Sequence, residues 1–211
     1  MSLPLVLLGF LQSQNYPDFQ VLHLDSPQSS PLFLHTMSEQ NRFMAIIDSN
    51  LDVQWHVSSS HMGLDFKVNQ NHLSYYNKLE GSWILANQVM KEIDTLRCEG
   101  TVVADYHDIQ ILENGNYILQ AYDSIFVDMS TIVDGGQPVT WIKGILVIQM
   151  FDINDELISE WNAWDHLDIS QYTNLNLESN AIAWMHGNSI EWDGNNQILV
   201  SNRASNEILK V

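Results

Sequence analysis

The chain has 211 residues, 45% of them hydrophobic, including 7 Trp, 7 Tyr and 7 Phe. That is enough apolar surface for a substantial core and excludes a disordered tail. Asp and Glu number 26 against 8 Lys plus Arg, a formal net charge of −18 with the acids scattered along the chain, so nucleic acid and anionic membrane are excluded as partners.

The N-terminus, "MSLPLVLLGFLQSQ", holds an apolar stretch from Leu3 to Leu11 that is too short to span a bilayer. It lacks a positive start and a clear cleavage site. It reads equally as an export-signal remnant, a core strand or the mere edge of the sequence. Residues 1–30 are accordingly set apart from a β-domain over 31–211.

Beyond it, short alternating or β-rich runs lie between turn signals, with almost no helical periodicity. In chain order the strands are predicted at Phe43–Ile47, Val53–Val57, Asp65–Val68, His72–Tyr76, Trp83–Ala86, Ile93–Arg97, His107–Leu112 and Tyr117–Tyr122. Ile145–Asp152, Leu157–Ala163, Ser189–Trp192, Gln197–Asn202 and Glu207–Val211 follow. Asp128–Val133 and Asp168–Leu175 are expected to hold helical turns on long loops. The single cysteine, Cys98, reads as a small buried hydrophobe. "DINDE" at Asp152–Glu156 lacks the glycine and distal glutamate of an EF-hand and reads as a hairpin turn.

Two hairpins carry the chemistry. "HDIQILENGNYIL" from His107 and "HGNSIEWDGNNQILVSNR" from His186 each pair a His with an alternating strand, a turn at Asn114-Gly115 or Asp193-Gly194, and a return strand. In the second, Arg203 lies 203 − 186 = 17 residues after the His, so a hairpin brings both to one rim. "LDFKVNQNHLSYY" aligns with "HDIQILENGNYIL" at an offset of 108 − 65 = 43. Four-stranded units recurring every 40 to 50 or so residues predict antiparallel propeller blades. The larger spacing of 186 − 107 = 79 implies insertions between Tyr122 and Ile145 and after Trp164. About three and a half blades fit in the chain, fewer than a closed propeller's usual minimum of about four. The expectation is part of a longer protein, or self-association that covers the open edges.

The motifs "AIIDSNLDVQWHV", "LDFKVNQNHLSYY", "DYHDIQILENGNYIL", "LVIQMFD", "EWNAWDHLDI", "HGNSIEWDGNNQILVSNR" and "NEILKV", in this order from about Pro31 to Val211, resemble the bacterial aryl-sulfate sulfotransferases. The resemblance implies a six-bladed propeller, of which this chain is an incomplete part. It also implies sulfuryl transfer from a phenolic sulfate donor to a phenolic acceptor through a sulfated histidine, with no cofactor, in a periplasmic or secreted setting. Carried over by motif, His107 and His186 are active-site histidines and Arg203 the active-site arginine. The nucleophilic histidine belongs to a later hairpin and is expected to be missing from these 211 residues. A non-catalytic propeller binding module and a truncated inactive homologue are the alternatives.

The residue types fit that chemistry. A sulfuryl group in transfer spreads negative charge over its oxygens, which Arg203 can hold with a fork of donors. The histidines can donate hydrogen bonds or move protons. Asp108 is the sequence neighbour that could orient His107, although on a strand it points to the opposite face. Asn188 is a rim hydrogen-bonding residue. Trp164 and Trp184 flank the site and could hold an aromatic ring, and His166 either lines the pocket or caps the next loop. The remaining histidines lack ligand spacing, so no transition-metal site is expected.

Overall fold

The computed structural model describes residues 16–23, 30–37, 42–59 and 61–211. The apolar stretch Leu3–Leu11 lies outside them. The fold is all-β, with four antiparallel sheets that follow one another along the chain. The first contains β1 (Leu32–Met37), β2 (Arg42–Ile47) and β3 (Val53–Ser58), in that order. The second is β4 (Met62–Asn69), β5 (His72–Asn77), β6 (Ser82–Ala86) and β7 (Glu92–Leu96). The third runs β8 (Val103–Ile111), β9 (Tyr117–Val127), β10 (Thr140–Phe151) and β11 (Leu157–Asn162). Beside β10, in parallel, lies the short β12 (Ala181–Ala183). The fourth is β13 (Gly187–Trp192), β14 (Ile198–Asn202) and β15 (Glu207–Lys210).

Thus, among the described residues, the second sheet and the antiparallel part of the third have the expected four strands, while the first and fourth have three. The predicted strands all appear, with shifted ends. The largest shifts are in the expected insertion after Tyr122. There β9 continues to Val127 and β10 starts at Thr140, so the insertion is mostly a longer hairpin. Its tip holds a 3-10 turn at Met129–Thr131, capped by the Asp128 side chain. A second 3-10 turn, at Ile169–Gln171, is capped the same way by Asp168. Three elements were not foreseen: β1, β12 and α1 (Ala163–His166).

Consecutive sheets share cores. Met44, Phe66, Tyr75 and Ile84 fill the space between the first and second sheets. Tyr76, Trp83 and Leu96 meet Ile109, Leu119 and Phe151 between the second and third. Ile118, Ile148, Ile190 and Val200 pack between the third and fourth. Central strands bury both faces: every residue of β6 is buried. On the outermost strand β15, Ile208 is exposed.

The first strands of the sheets are neighbours in turn, β1 beside β4, β4 beside β8 and β8 beside β13. None of these pairs forms a backbone ladder. Side chains join them instead. Asn69 Nδ2 on β4 donates to the Ile109 carbonyl, 3.0 Å, and Gln110 Oε1 on β8 accepts from the Trp192 N–H. The turn at Asn114-Gly115 closes with Gly115 at φ +87°, a conformation glycine adopts without strain. Asp152–Glu156 is a hairpin turn in which the Asp152 carboxylate accepts from the N–H groups of Asn154 and Glu156.

Candidate active site

His107 sits in a bulge. On β8 the register runs Ala104 opposite Ala121, then Ile109 opposite Leu119, so residues 105–108 face the single residue Gln120. A bulge kinks the strand and re-aims its side chains. Asp105 lies against the His107 ring. Asp105 Oδ1 accepts from His107 Nδ1, 2.6 Å, from the His107 backbone N–H, 3.0 Å, and from Gln120 Nε2, 3.3 Å. The Asp105 side chain is 7% exposed and that of His107 21%. The Asp105 carbonyl is itself held by the Trp83 indole N–H, 3.0 Å, and the Ala104 carbonyl by the Tyr76 hydroxyl, 2.5 Å. With Nδ1 carrying the proton toward the carboxylate, Nε2 is left with the lone pair in the neutral ring. Tyr106 stacks on His107 with ring centroids 4.2 Å apart, a contact neighbours on a regular strand cannot make.

His186 stands at the entry to β13. Its N–H donates to Asn202 Oδ1, 2.8 Å, and its carbonyl accepts from the Arg203 N–H, 2.8 Å. Asn202 is buried, and its amide also donates to Ser205 Oγ. The hairpin therefore brings His186 and Arg203 to one rim, as the 17-residue spacing requires. Gly187 is packed so closely that a Cβ would collide with the Gln120 side-chain oxygen, and the Tyr122 hydroxyl donates to the Gly187 carbonyl, 3.2 Å. Gln120 thus touches both hairpins.

The two imidazoles meet edge to face, centroids 4.7 Å apart. Burial lowers the His186 pKa, and the charges of His107 and Arg203 lower it further against the pull of Asp105. His186 is a neutral ring near neutral pH. Arg203 is exposed in the turn after β14. Among the described residues its guanidinium has no carboxylate partner within ion-pair distance.

Asp108 does not orient His107. It pairs with Lys67 Nζ at 2.5 Å, and Asp65 pairs with the same ammonium at 2.6 Å. Asn188 lies half-buried beside Gly187, at the bulge between Gly187 and Ser189. Trp184 is fully buried in the core, edge-on to Trp164 at 5.9 Å and to Tyr172 at 5.6 Å. His166, the last residue of α1, stacks flat on Trp161 at 5.6 Å. None of Asn188, Trp164, Trp184 and His166 has a hydrogen bond or ring contact to His107 or His186 among the described residues.

A cavity of about 880 Å³ lies at the opposite, turn-bearing ends of the hairpins, lined by Asn114, Trp161, Trp192 and Gly194, and includes neither His107 nor His186. The histidine pair lies instead where β8 and the entry to β13 meet. Among the described residues, no group of three or more His, Cys, Asp or Glu is placed to hold a metal ion. Burial pushes the Cys98 thiol up to about 12, so it is a protonated, half-buried packing residue and not a nucleophile.

The family model for arylsulfotransferase (ASST) matches residues 20–211. The chain belongs to the arylsulfotransferase family. Membership carries an arylsulfotransferase-like function and small-molecule aryl substrates. No curated protein matches the chain. Among solved structures it is similar to a protein of unknown function from Bacteroides caccae, 13% identical, with 88% of this chain and 73% of that chain covered and a TM-score of 0.33.

In this arylsulfotransferase-family chain, sequence reasoning missed Asp105, Gln120, Lys67 and Tyr106. Asp105 carried a signal: "DYH" places an acid two residues before His107, the same-face spacing on a strand. The other three come from neighbouring strands or from the bulge and carry none.

Proposed function

We propose that this protein transfers a sulfuryl group from a phenolic sulfate ester to a phenol at the mouth formed by His107, His186 and Arg203. The observation that carries the reading is the Asp105–His107 pair, its ring edge-to-face with His186, whose carbonyl accepts from the Arg203 N–H at the same rim. In a molecule of net charge −18, a sulfate ester is repelled everywhere else. Arg203 takes two non-bridging oxygens through its fork of N–H donors. His186, neutral, adds an uncharged N–H donor to the third. In the second half-reaction the acceptor phenol's oxygen forms the new S–O bond as the S–N bond of the sulfated histidine breaks, His107 takes the phenol's proton at Nε2, and Asp105 stabilises the imidazolium that results. That intermediate forms in the first half-reaction, when the aryl S–O bond breaks, the aryloxide leaves to solvent and the sulfuryl group passes to a histidine nitrogen. By the family resemblance, that histidine belongs to a hairpin later than residue 211. Tyr106, half-exposed and stacked on His107, is the aromatic wall for the substrate ring.

The same reading takes the four sheets as successive blades of a propeller over 31–211, with β1, β4, β8 and β13 as inner strands. Their neighbour order and the shared cores between consecutive sheets support it. Periplasmic or secreted placement goes with the reading and rests on the resemblance alone.

The test is transfer from p-nitrophenyl sulfate to phenol by the full-length protein, with phenyl sulfate identified by mass spectrometry. Transfer abolished or sharply reduced in both His107→Asn and His186→Asn is expected. Wild-type rates in both would remove the histidines from the mechanism. A folded wild type with no transfer to any phenol would favour a binding module.

A further inference from the structure

His107 stands on β8 and His186 one residue before β13, an adjacent strand with no backbone ladder to β8, so something other than sheet pairing must set the 4.7 Å between their rings. One carboxylate next to His107 reaches both neighbouring strands. Asp108 Oδ1 meets Lys67 Nζ on β4 at 2.5 Å, and Asp108 Oδ2 accepts from the Ile190 N–H on β13 at 2.9 Å. Ile190 lies four residues past His186. We propose that Asp108, braced by Lys67, is a positioning residue that fixes the spacing of the His107 and His186 rings.

Three further observations bear on the proposal. Lys67 is held from its other side by Asp65 at 2.6 Å and lies 5.9 Å over the Trp83 ring, the same indole whose N–H anchors the Asp105 carbonyl. The brace therefore ends on the scaffold of the Asp105–His107 pair. Asp65 has φ +49°, a left-handed conformation that Asp adopts more readily than most non-glycine residues. It falls in a bulge of β4 between Leu64 and Lys67, and the 43-residue offset aligns it with Asp108. Finally, the Asp108 side chain is only 15% exposed. Removing Lys67 therefore leaves a largely buried charge short of a partner, and removing Asp108 leaves the Ile190 N–H without its acceptor.

The consequence for rate rests on the proposed function, but the spacing does not, and the experiment separates them. In protein carrying protonated histidine on a deuterated background, the wild type shows a nuclear Overhauser cross-peak between the His107 and His186 ring protons. Asp108→Ala should weaken or abolish it, and lower kcat roughly 10²-fold with KM little changed, the scale of a misplacement of about 1 Å. Asp108→Asn, which keeps an oxygen for the Ile190 N–H, should retain the cross-peak. Where Asp108→Ala does not fold, Lys67→Gln decides, with a weakened cross-peak expected. An undiminished cross-peak in folded Asp108→Ala or Lys67→Gln overturns the proposal whatever the activity. A lost cross-peak with unchanged kcat upholds the bracket and refutes the catalytic reading of the histidine pair.

Discussion

Asp105→Asn is the sharpest probe of the site because it removes a charge and almost no volume. Asp105 Oδ1 alone accepts from His107 Nδ1, the His107 N–H and Gln120 Nε2, so an amide oxygen in its place can keep all three bonds. The Trp83 bond to the Asp105 carbonyl is untouched. What disappears is charge assistance: a bond to a charged acceptor contributes about 1.5–3 kcal/mol and a neutral one about 1 kcal/mol. The stability loss is therefore about 0.5–2 kcal/mol, or roughly 1–8 °C in Tm at this chain length. The rate suffers more. If an imidazolium forms at His107 in the transition state, the lost carboxylate costs at least about tenfold in kcat. An amide NH2 that rotates to face Nδ1 traps the wrong tautomer, and the loss then approaches about 10⁴-fold. The assay is release of 4-nitrophenolate from p-nitrophenyl sulfate with phenol as acceptor, beside a Trp83→Phe control that loosens the bulge and keeps the carboxylate. A loss under about threefold in Asp105→Asn, or equal losses in the variant and the control, refutes a charge role for Asp105.

Arg203→Lys should lower kcat and kcat/KM together by about 10²–10³-fold, because a point charge cannot reproduce a bidentate fork, while Tm stays near wild type since the side chain is exposed. A rise in KM alone would show that Arg203 only binds. Gly187→Ala should lower Tm by roughly 2–12 °C, from about 1–3 kcal/mol of overpacking against Gln120 and Leu146. An unchanged Tm would show that this contact yields freely. The pH dependence follows from His186, whose folded pKa lies below its unfolded value of about 6.5 through burial, His107 and Arg203. Above about pH 6.5 its contribution to stability is fully present. As pH falls through the folded pKa, the unfolded chain binds a proton that the native ring refuses, and stability drops. His35, shifted the same way by burial and Arg42, adds to the slope. Thermal melts from about pH 8 to 5 should therefore be flatter for His186→Asn than for wild type, and identical slopes would contradict the assignment.

The strands were legible where one face is buried and a turn residue bounds the run, as at His72–Tyr76 and Trp83–Ala86. They were illegible where tertiary contacts supply the reason for the strand. β12 is three residues, Ala-Ile-Ala, and exists because Trp141–Lys143 offers it a parallel partner. The outer halves of β9 and β10 hid for a related reason. Gly135, Gly136 and Pro138 mark a loop, yet they close only its tip. Thr140 to Gly144 form strand because Ile142 is driven under Met129, Ile182 and Trp184. Trp184 itself shows the limit of reading aromatics near a motif. Its position in the chain flanks His186, but its side chain is fully buried.

For the site, what could be read was what strand length alone determines. The Asp193-Gly194 turn fixes the register of β13 on β14, Trp192 opposite Ile198 and Gly187 opposite Asn202, and the return to His186 and Arg203 follows without knowing any other strand. His107 was recognisable as a residue, while its partner was not. Strict alternation sends Asp105 and His107 to one face and Asp108 to the other, and that much is right. But the immediate neighbour looked like the natural orienting acid only because nothing in the sequence announces β4 and β13 on either side. With them in place, Asp108 has two better partners than an imidazole, an ammonium and a backbone N–H. Asp105, walled in by Trp83, Tyr76 and Gln120, has the ring. The two acids around His107 therefore divide the work: Asp105 sets its tautomer, and Asp108 sets how far His186 stands.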